Sequence, residues 1–320
     1  MKAAVVQAFD RPPRYSEFEE PRPGPTETLL RVSAAATSRL VRSRAAGLHY
    51  SSTLNPPFVA GVDGVGRAPD GRRLYFQFPR APFGSLAERT VVADDRTVEV
   101  PDGIDDATAA AAAIAGMSCW IPLTLLAPIR PGESVLINGA TGASGRMAVQ
   151  VAKRLGARQI LATGRDPARL DGLAALGAGV RIPLGGSLEA LRDVIRHEAR
   201  EASVGVVLDY LWGPSAEAIL NALGGPNAPR GPSRIRFVQI GQMGGATVAL
   251  DGALLRSSGV EVLGSGIGSV ADADILRGIG EFLQTAAQAQ FAVEFDRHAL
   301  SEIERAWPLE QGRRQVYEIG

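Results

Sequence analysis

The sequence is poor in cysteine, and its basic and acidic side chains cancel. A single cysteine, Cys119, excludes an internal disulfide and cannot alone form a cysteine-based zinc site. The 34 basic and 34 acidic residues leave no overall positive charge for nucleic acid or an anionic membrane. The most apolar run, Ala107–Ile114, is shorter than the ~20 residues of a membrane helix, and the N-terminus lacks a signal peptide's apolar core. These absences predict a cytoplasmic protein without nucleic-acid or membrane partners.

The chain is rich in apolar residues, in glycine and in arginine. Its 320 residues, 45% of them hydrophobic, are typical of about two domains with substantial cores. The 37 glycines and 21 prolines indicate many turns. Lys2 and Lys153 are the only lysines, so nearly all basic residues are arginine. A functional role for any one arginine therefore needs an argument from its position.

The first hundred residues alternate short apolar segments with turn-forming residues, which predicts an antiparallel, β-rich domain. The candidate strands are Ala3–Gln7, Thr28–Ala35, Gly64–Ala68, Arg73–Phe78 and Ala87–Val92, and one helix is expected at Ser38–Ala46. An alanine-rich helix is expected over Asp105–Cys119.

From Ser134 onward, apolar strands alternate with helical segments, a pattern that predicts a parallel sheet with helical crossovers. The expected strands are Ser134–Asn138, Gln159–Thr163, Gly179–Ile182, Gly205–Asp209, Ile235–Ile240 and Val260–Leu263. The expected helices extend to Leu155 and over Pro167–Leu176, Leu188–Glu201, Pro214–Leu223 and Ala273–Ala289. The last thirty residues return to short pieces. The sequence thus predicts an α/β domain inserted into the β-rich one.

A glycine-rich turn joins the first of these strands to a helix. Its pattern is Gly-x-x-Gly-x-x-Gly, which suits a tight exit from the strand, backbone close to a diphosphate, and close helix–strand packing. The helix N-terminus offers unpaired N–H groups to phosphate oxygens. The residues expected there are Gly139, Thr141, Gly142, Ala143, Ser144 and Gly145. The alternative is an ordinary strand-to-helix turn.

The end of the second strand, Gln159–Thr163, predicts which dinucleotide binds. NAD sites place an acid there for the ribose 2′-hydroxyl, whereas this chain has Gly164, which leaves room, and Arg165, which suits a 2′-phosphate. Arg169, one helical turn further on, is a second candidate or a solvated residue. Asp166 is the competing NAD acid, but an Asp before Pro is typical of a helix N-cap. We therefore expect NADPH.

At these residues the chain resembles the medium-chain dehydrogenase/reductase superfamily, specifically its zinc-free, zeta-crystallin-like quinone oxidoreductase branch. The matching blocks are residues 57–66, 84–88, 116–123 and 131–139 and the glycine turn, in the family's order. The resemblance implies an α/β fold with a GroES-like catalytic domain, 1–117 and 286–320, and a Rossmann NADP(H)-binding domain, 118–285.

The resemblance also implies that no metal is bound. Asp63 stands in the segment where zinc alcohol dehydrogenases have Gly-His-Glu, and Ser38 falls near their first cysteine position. Alcohol oxidation without a metal lacks its usual route to an alkoxide, whereas hydride transfer to a quinone or enone needs none.

By resemblance, the nicotinamide is bound by Ser118, expected at the start of the inserted domain's first helix, and by residues at strand ends. Those residues are Ile240, Gly241, Gly264, Ser265, Gly266 and Ile267, with Tyr210 as a neighbour of the adenosine or ribose or a loop aromatic. Asp209 is expected to end its strand and bind locally.

The segment Ser38–Tyr50 resembles the family's substrate-lining helix and loop. Tyr50 is expected either to donate a proton to the acceptor oxygen or to be a half-buried structural tyrosine, and Ser38 replaces the family's usual asparagine. We expect Arg42 and Arg44 to be solvated, and the alternative is that they bind an acidic substituent of the substrate.

Together these features predict an NADPH-dependent, zinc-independent reductase of a quinone or an α,β-unsaturated carbonyl. The alternatives are an enoyl-thioester or alkenal reductase on the same scaffold, and a non-catalytic NADPH-binding redox sensor. By resemblance, the strand Val260–Leu263 is an edge of its sheet that pairs with its twin in a homodimer.

Overall fold

The structure is a computed structural model that describes residues 1–224, 234–309 and 313–320. The chain forms two compact units. Unit 1 comprises Met1–Ile114 and Ala271–Gly320, and unit 2 comprises Ala115–Val270. The sequence predicted domain limits after residues 117 and 285, and these limits remain predictions.

The elements of both units follow in chain order. The strands are β1 (Lys2–Val6), β2 (Arg14–Glu17), β3 (Glu27–Ala36), β4 (Phe58–Val59), β5 (Asp63–Arg67), β6 (Arg73–Gln77), β7 (Arg89–Ala93), β8 (Thr97–Glu99), β9 (Ser134–Asn138), β10 (Ile160–Gly164), β11 (Val180–Pro183), β12 (Val204–Asp209), β13 (Ile235–Gln239), β14 (Val260–Gly264), β15 (Phe295–Ala299) and β16 (Arg314–Glu318). The α-helices are α1 (Arg39–Ala45), α2 (Asp106–Ile121), α3 (Ala143–Arg154), α4 (Pro167–Asp171), α5 (Leu188–Ala202), α6 (Gly213–Gly224), α7 (Gly252–Ser257), α8 (Asp272–Ala289) and α9 (Ile303–Ala306).

The described residues of unit 1 form two sheets. The strand orders are β2-β1-β4 and β15-β16-β3-β5-β6-β8, with β7 also paired to β3, and every pairing is antiparallel except β15 with β16. Leu30, Phe76 and Tyr317 belong to the apolar cluster at its core. The predicted β-rich first domain is confirmed.

Helix α2 is longer than the sequence predicted. It passes Cys119 and continues through a π-helical turn, Pro122–Leu126, so that the helical segment Asp106–Leu126 has 21 residues, and its most apolar window of 18 residues has a mean hydropathy of 1.7. The expectation that Ala107–Ile114 limits the apolar length was therefore wrong, although 72% of the helix's most apolar window is buried inside the protein. Such burial is typical of a core helix.

Unit 2 contains a six-stranded parallel sheet in its described residues, with the order β11-β10-β9-β12-β13-β14. The first three strands, β9, β10 and β11, are added in one direction from β9. The next three, β12, β13 and β14, are added on the other side of β9. Leu136, Leu161, Val207 and Phe237, one from each of four strands, are fully buried. This is the strand order of dinucleotide-binding Rossmann domains, whose ligands lie beyond the carboxyl ends of the strands where the order reverses. The predicted α/β fold and the edge position of β14 are confirmed.

Candidate functional site

The three glycines of the turn between β9 and α3 have different surroundings. Gly139 has a φ of +88°, and a Cβ there would lie 2.8 Å from Cγ of Leu211. Gly145 lies in the first turn of α3, where a Cβ would be 2.5 Å from the Cα of Ala140. Gly142 has ordinary backbone angles and open space where its Cβ would point. The outer glycines therefore shape the turn, and the middle one leaves it open.

The N-terminus of α3 is left open for an anion. Gly142 is its N-cap and supplies no side chain, so no capping side chain occupies the first-turn amides of Ala143, Ser144 and Gly145. The 12-residue helix directs the positive end of its dipole to the same place. Backbone N–H groups at a glycine-lined helix N-terminus suit a phosphate. This turn, residues 139–145, fits the diphosphate of a dinucleotide.

A buried polar network that was not predicted from the sequence holds the start of the turn in place. The Asn138 amide donates to Asp209 (2.8 Å) and to Ser215 (3.0 Å). The hydroxyl of Thr163 donates to Oδ1 of Asn138 (2.7 Å) and accepts from the backbone N–H of Gly139 (3.0 Å). The network thereby links the ends of β10, β9 and β12. The available signal was a polar residue ending each of these apolar strands.

Asp209 is the fully buried carboxylate of this network. Burial raises its pKa, while the hydrogen bonds it accepts from the backbone N–H of Leu211 (3.0 Å), from Asn138 and from the N–H of Trp212 (3.1 Å) lower it. These local contacts fit the expectation that Asp209 ends its strand and binds nearby. They also fix the loop that follows β12.

The end of β10 carries the exposed side chain of Arg165. Among the described residues, no hydrogen bond or ion pair involves its guanidinium. Asp166 is the N-cap of α4 and accepts from the backbone N–H of Arg169 (3.2 Å), which confirms its interpretation as a cap. The room expected at Gly164 is occupied, because its Cβ would lie 2.4 Å from the methyl of Thr141. In the segment that follows β10, residues 165–169, Arg165 is the exposed cationic side chain beside the glycine turn.

Ser118 and Tyr210 contact each other within unit 2. Ser118 lies near the C-terminal end of α2, so its expected position at a helix start was wrong. Its hydroxyl donates to Ala115 O (2.7 Å) and lies 3.3 Å from the phenol oxygen of Tyr210. Tyr210 is only 9% exposed, and burial raises its pKa. The phenol therefore stays protonated and is held against α2.

The remaining candidates lie at or just beyond the carboxyl ends of the strands of the parallel sheet. Ile240 and Gly241 both donate backbone N–H groups to Asp209 O, at 2.8 and 3.1 Å. A Cβ at Gly241 would lie 2.6 Å from Tyr210 O, so only glycine fits this approach. Beyond β14, Ser265 donates its N–H to Gln239 O (2.8 Å), while Gly264 and Gly266 are exposed, and Ile267 is partly exposed. These residues therefore all lie on the side of the sheet where its strands end.

In unit 1, the two substrate-side candidates have different surroundings. Ser38 is the N-cap of α1, where its Oγ accepts from the N–H of Val41 (3.3 Å), and it is 8% exposed. Tyr50 is 74% exposed, so the expected half-buried position was wrong. Its ring lies against that of His49, with 4.2 Å between centroids. The phenol of Tyr50 is accessible to solvent, whereas the hydroxyl of Ser38 caps α1.

Arg42 and Arg44 are packed, so the expectation of solvated side chains was wrong. Arg42 lies over the ring of Trp307, 5.0 Å from its centroid, and donates to the Trp307 carbonyl. Arg44 lies over Phe78 (5.7 Å) and donates to the hydroxyl of Ser51 (2.8 Å). Aromatic faces distant in sequence supply these contacts. Both guanidinium groups therefore order the chain around α1.

The sequence predicts that no metal is bound, and the side chains that could bind one are those of cysteine, histidine, aspartate and glutamate. Within residues 1–224, 234–309 and 313–320, no group of three such side chains is placed to bind a metal ion. Cys119 is fully buried, where its thiol donates to Gly116 O (3.2 Å) and burial raises its pKa. The thiol is thus a packing group.

Asp63, in the segment that replaces Gly-His-Glu, is a buried carboxyl. It is 1% exposed, and the phenol of Tyr75 donates to its Oδ2 (3.0 Å). Its Oδ1 has no hydrogen-bond partner among the described residues. Burial raises the pKa of Asp63 to about 7, although the positive charge of Arg314 opposes the increase. Near neutral pH this carboxyl is therefore partly protonated.

Comparisons with known proteins agree with this architecture. No family model matches the chain. A probable NADPH-dependent quinone reductase of Emericella nidulans is 28% identical over 99% of both chains, and a quinone oxidoreductase of Pseudomonas aeruginosa is 27% identical over 95% of this chain and 91% of that one. The quinone oxidoreductase of Thermus thermophilus, whose structures include an NADPH complex, is 26% identical over the full length of both chains, with a TM-score of 0.81. The chain is therefore similar over its whole length to quinone oxidoreductases, which agrees with its resemblance to the zinc-free branch of the medium-chain dehydrogenase/reductase superfamily.

Proposed function

We propose that this protein is an NADPH-dependent reductase of quinones or α,β-unsaturated carbonyls. The observation that carries the proposal is the open glycine turn, residues 139–145, at the reversal of strand order in a parallel sheet. Two relatives that match nearly the whole chain are quinone reductases by name, and one of them is described as NADPH-dependent. The turn and the relatives thus support the same chemistry.

The cofactor's phosphates would be held by the backbone of the turn. The first-turn amides of α3 face the diphosphate, and Thr141 adds a hydroxyl beside them. The exposed guanidinium of Arg165 binds the 2′-phosphate that distinguishes NADPH from NADH, with Arg169 as a second cation one turn along α4. When bound, the reduced nicotinamide supplies the hydride.

At the other end of the cofactor, backbone and small side chains would contact the nicotinamide and its ribose. Ser118 and Tyr210 form one side, since their hydroxyls already share a hydrogen bond. The other contacts come from the strand ends and are Ile240, Gly241, Gly264, Ser265 and Gly266. Glycine backbones permit close approach to a flat ring, so these residues orient the cofactor without reacting with it.

The acceptor is assigned to unit 1 by family resemblance. The exposed phenol of Tyr50 donates a hydrogen bond or a proton to the acceptor oxygen. Ser38 uses a lone pair as the N-cap of α1, so its hydroxyl proton remains available to the same acceptor. A quinone or enone is already electrophilic, and the reaction proceeds without zinc.

The location of the protein follows from its composition, and its oligomeric state follows from the resemblance. The protein is cytoplasmic, and it forms a homodimer through β14, which is the edge of its sheet. An exposed edge strand pairs readily with its twin across a two-fold axis. The partial exposure of Val262 on β14 leaves an apolar side chain for such a contact.

Steady-state oxidation of NADPH against a panel of quinones and enones tests the proposal. We expect turnover with at least one acceptor, and NADH should be a poor substitute. NADPH binding with no turnover on any acceptor would instead support a non-catalytic sensor. As a matched control, Arg256→Glu changes an exposed arginine of unit 2 on α7 and should leave turnover unchanged.

A further inference from the structure

His49, beside Tyr50, is fixed by contacts that the proposed function does not use. Its ring Nδ1 lies 2.8 Å from the hydroxyl of Ser51 and 3.2 Å from the backbone N–H of the same residue. Arg44, on α1, donates to that hydroxyl at 2.8 Å. The ring also lies against that of Tyr50, with the two planes tilted by 33°. A short chain of hydrogen bonds therefore connects α1 to this histidine.

These contacts determine which ring nitrogen bears the proton. A backbone N–H can only donate, so Nδ1 must accept from Ser51. The Ser51 oxygen already accepts from Arg44, which leaves its own proton free to be donated to Nδ1 as well. The neutral ring consequently has its proton on Nε2. Among the described residues, Nε2 has no hydrogen-bond partner.

The surroundings also keep the ring uncharged. Partial burial lowers the pKa of His49, and the positive charge of Arg44 lowers it further. Among the described residues, no acidic side chain pairs with His49 to oppose these two effects. A neutral imidazole is a hydrogen-bond donor of fixed direction, and other enzymes use such a group to polarise a carbonyl.

We propose that His49 is a catalytic residue that donates its Nε2–H hydrogen bond to the carbonyl or quinone oxygen of the acceptor, with Ser51 and Arg44 as positioning residues. This rests on the proposed function and deepens it. His49 follows α1 directly and belongs to the same segment as Tyr50, so it occupies the part of unit 1 assigned to the acceptor. Its role is to stabilise the negative charge that develops on that oxygen.

The reaction balances without consuming the imidazole proton. The acceptor carbon gains a hydride, two electrons and one proton, from reduced nicotinamide, which leaves as NADP⁺. The π bond of the acceptor breaks, and its electron pair moves to the oxygen. That oxyanion accepts the hydrogen bond from Nε2–H and then takes a proton from Tyr50 or from water, since a neutral imidazole is a very weak acid. His49 therefore ends the cycle as it began.

Ring ¹⁵N NMR of the whole protein tests the tautomer independently of turnover. The sequence has three histidines, and His197→Phe and His298→Gln identify the other two signals. At pH 7 we expect His49 to be neutral, with its proton on Nε2. In Ser51→Ala, Nδ1 loses one of its two donors, so a second tautomer should appear. A protonated Nδ1 or an imidazolium in the wild type would overturn the proposal.

Kinetics test the catalytic role. His49→Phe keeps a ring but removes the donor, and we expect kcat to fall about 10²-fold, the typical loss of one oxyanion donor, with NADPH affinity unchanged. His49→Gln restores an N–H and should recover much of the loss. His197→Phe, on the exposed face of α5, is the control. Full activity of His49→Phe would overturn the role of His49 alone, whereas absence of wild-type turnover with every acceptor would contradict the proposed function as well.

Discussion

Gly145, in the first turn of α3, is in contact with the backbone of Ala140, just beyond the end of β9. A Cβ at position 145 would lie 2.5 Å from the Cα of Ala140 and 2.5 Å from the carbonyl oxygen of Gly139. Because both of these atoms belong to the backbone, neither moves aside cheaply. The contact fixes the N-terminus of the helix against the strand and so sets the position of the amides that face a phosphate.

Substitution of the two glycines should separate folding from binding. Gly145→Ala introduces a clash with backbone and should lower the free energy of unfolding by about 1–3 kcal/mol. Gly142→Ala meets no atom within 4 Å and should leave that free energy within about 0.5 kcal/mol of wild type. Yet its methyl projects beside the open helix N-terminus, so NADPH affinity should fall. Urea unfolding and fluorescence titration measure the two effects, and a fully stable Gly145→Ala protein would contradict the packing argument.

Arg165 should determine the choice between the two pyridine nucleotides. Its replacement by glutamate places a negative charge beside the 2′-phosphate, and hydrogen bonds to charged groups contribute about 1.5–3 kcal/mol, so NADPH should bind roughly 10–100-fold more weakly. NADH, which lacks the phosphate, should bind nearly as before.

The measurement is the Kd of each nucleotide by titration. The control is Arg256→Glu, which reverses an exposed charge on α7 in the same unit. Equal losses for NADPH and NADH in Arg165→Glu would remove this arginine from the 2′-phosphate.

Local pattern was enough to predict the Rossmann strands and one helix cap. Asp166 precedes Pro167, and that pair alone identifies the N-cap of α4. The Asn138–Asp209 contact was not predictable in the same way, because those residues are 71 positions apart and meet only when the sheet forms. The packing of Arg42 on Trp307, 265 positions away, was missed for the same reason.

The length of α2 shows a different limit of pattern reasoning. A proline at position 122 predicts the end of a helix, yet a π-helical turn carries the segment on to Leu126. Side-chain exposure is also poorly specified by sequence. A half-buried structural role was one of the two alternatives for Tyr50, and the residue is 74% exposed, since loop packing depends on residues distant in the chain.

Asp63 should make stability depend on pH. Its folded pKa of about 7 lies above the usual value of 3.8, so its contribution is fully present below about pH 4 and is lost as pH rises through 7. The difference corresponds to about 4 kcal/mol at most, at 1.36 kcal/mol per unit. Asp63→Asn cannot ionise but retains a partner for Tyr75.

Urea unfolding of both proteins between pH 5 and pH 8 measures this effect, because other groups cancel in the comparison. The asparagine variant should gain stability relative to wild type as the pH rises. A difference between the two proteins that stays constant over this interval would show that Asp63 does not titrate there.

Cys119 should be inert in the native protein. Its thiol is fully buried in α2, and burial raises its pKa, so the reactive thiolate is scarce. Labelling with a disulfide reagent should proceed no faster than unfolding, and urea should accelerate it. Cys119→Ala should retain turnover. Immediate stoichiometric labelling of the folded protein would contradict both the burial and the assignment of this thiol to packing.

Binding of a pyridine nucleotide to the turn of residues 139–145 is the central claim, and a crystal structure of the protein grown with NADPH tests it most directly. The diphosphate should lie on the first-turn amides of α3, with the 2′-phosphate beside Arg165. A nucleotide bound elsewhere, or an empty turn at concentrations that saturate the related reductases, would contradict the account.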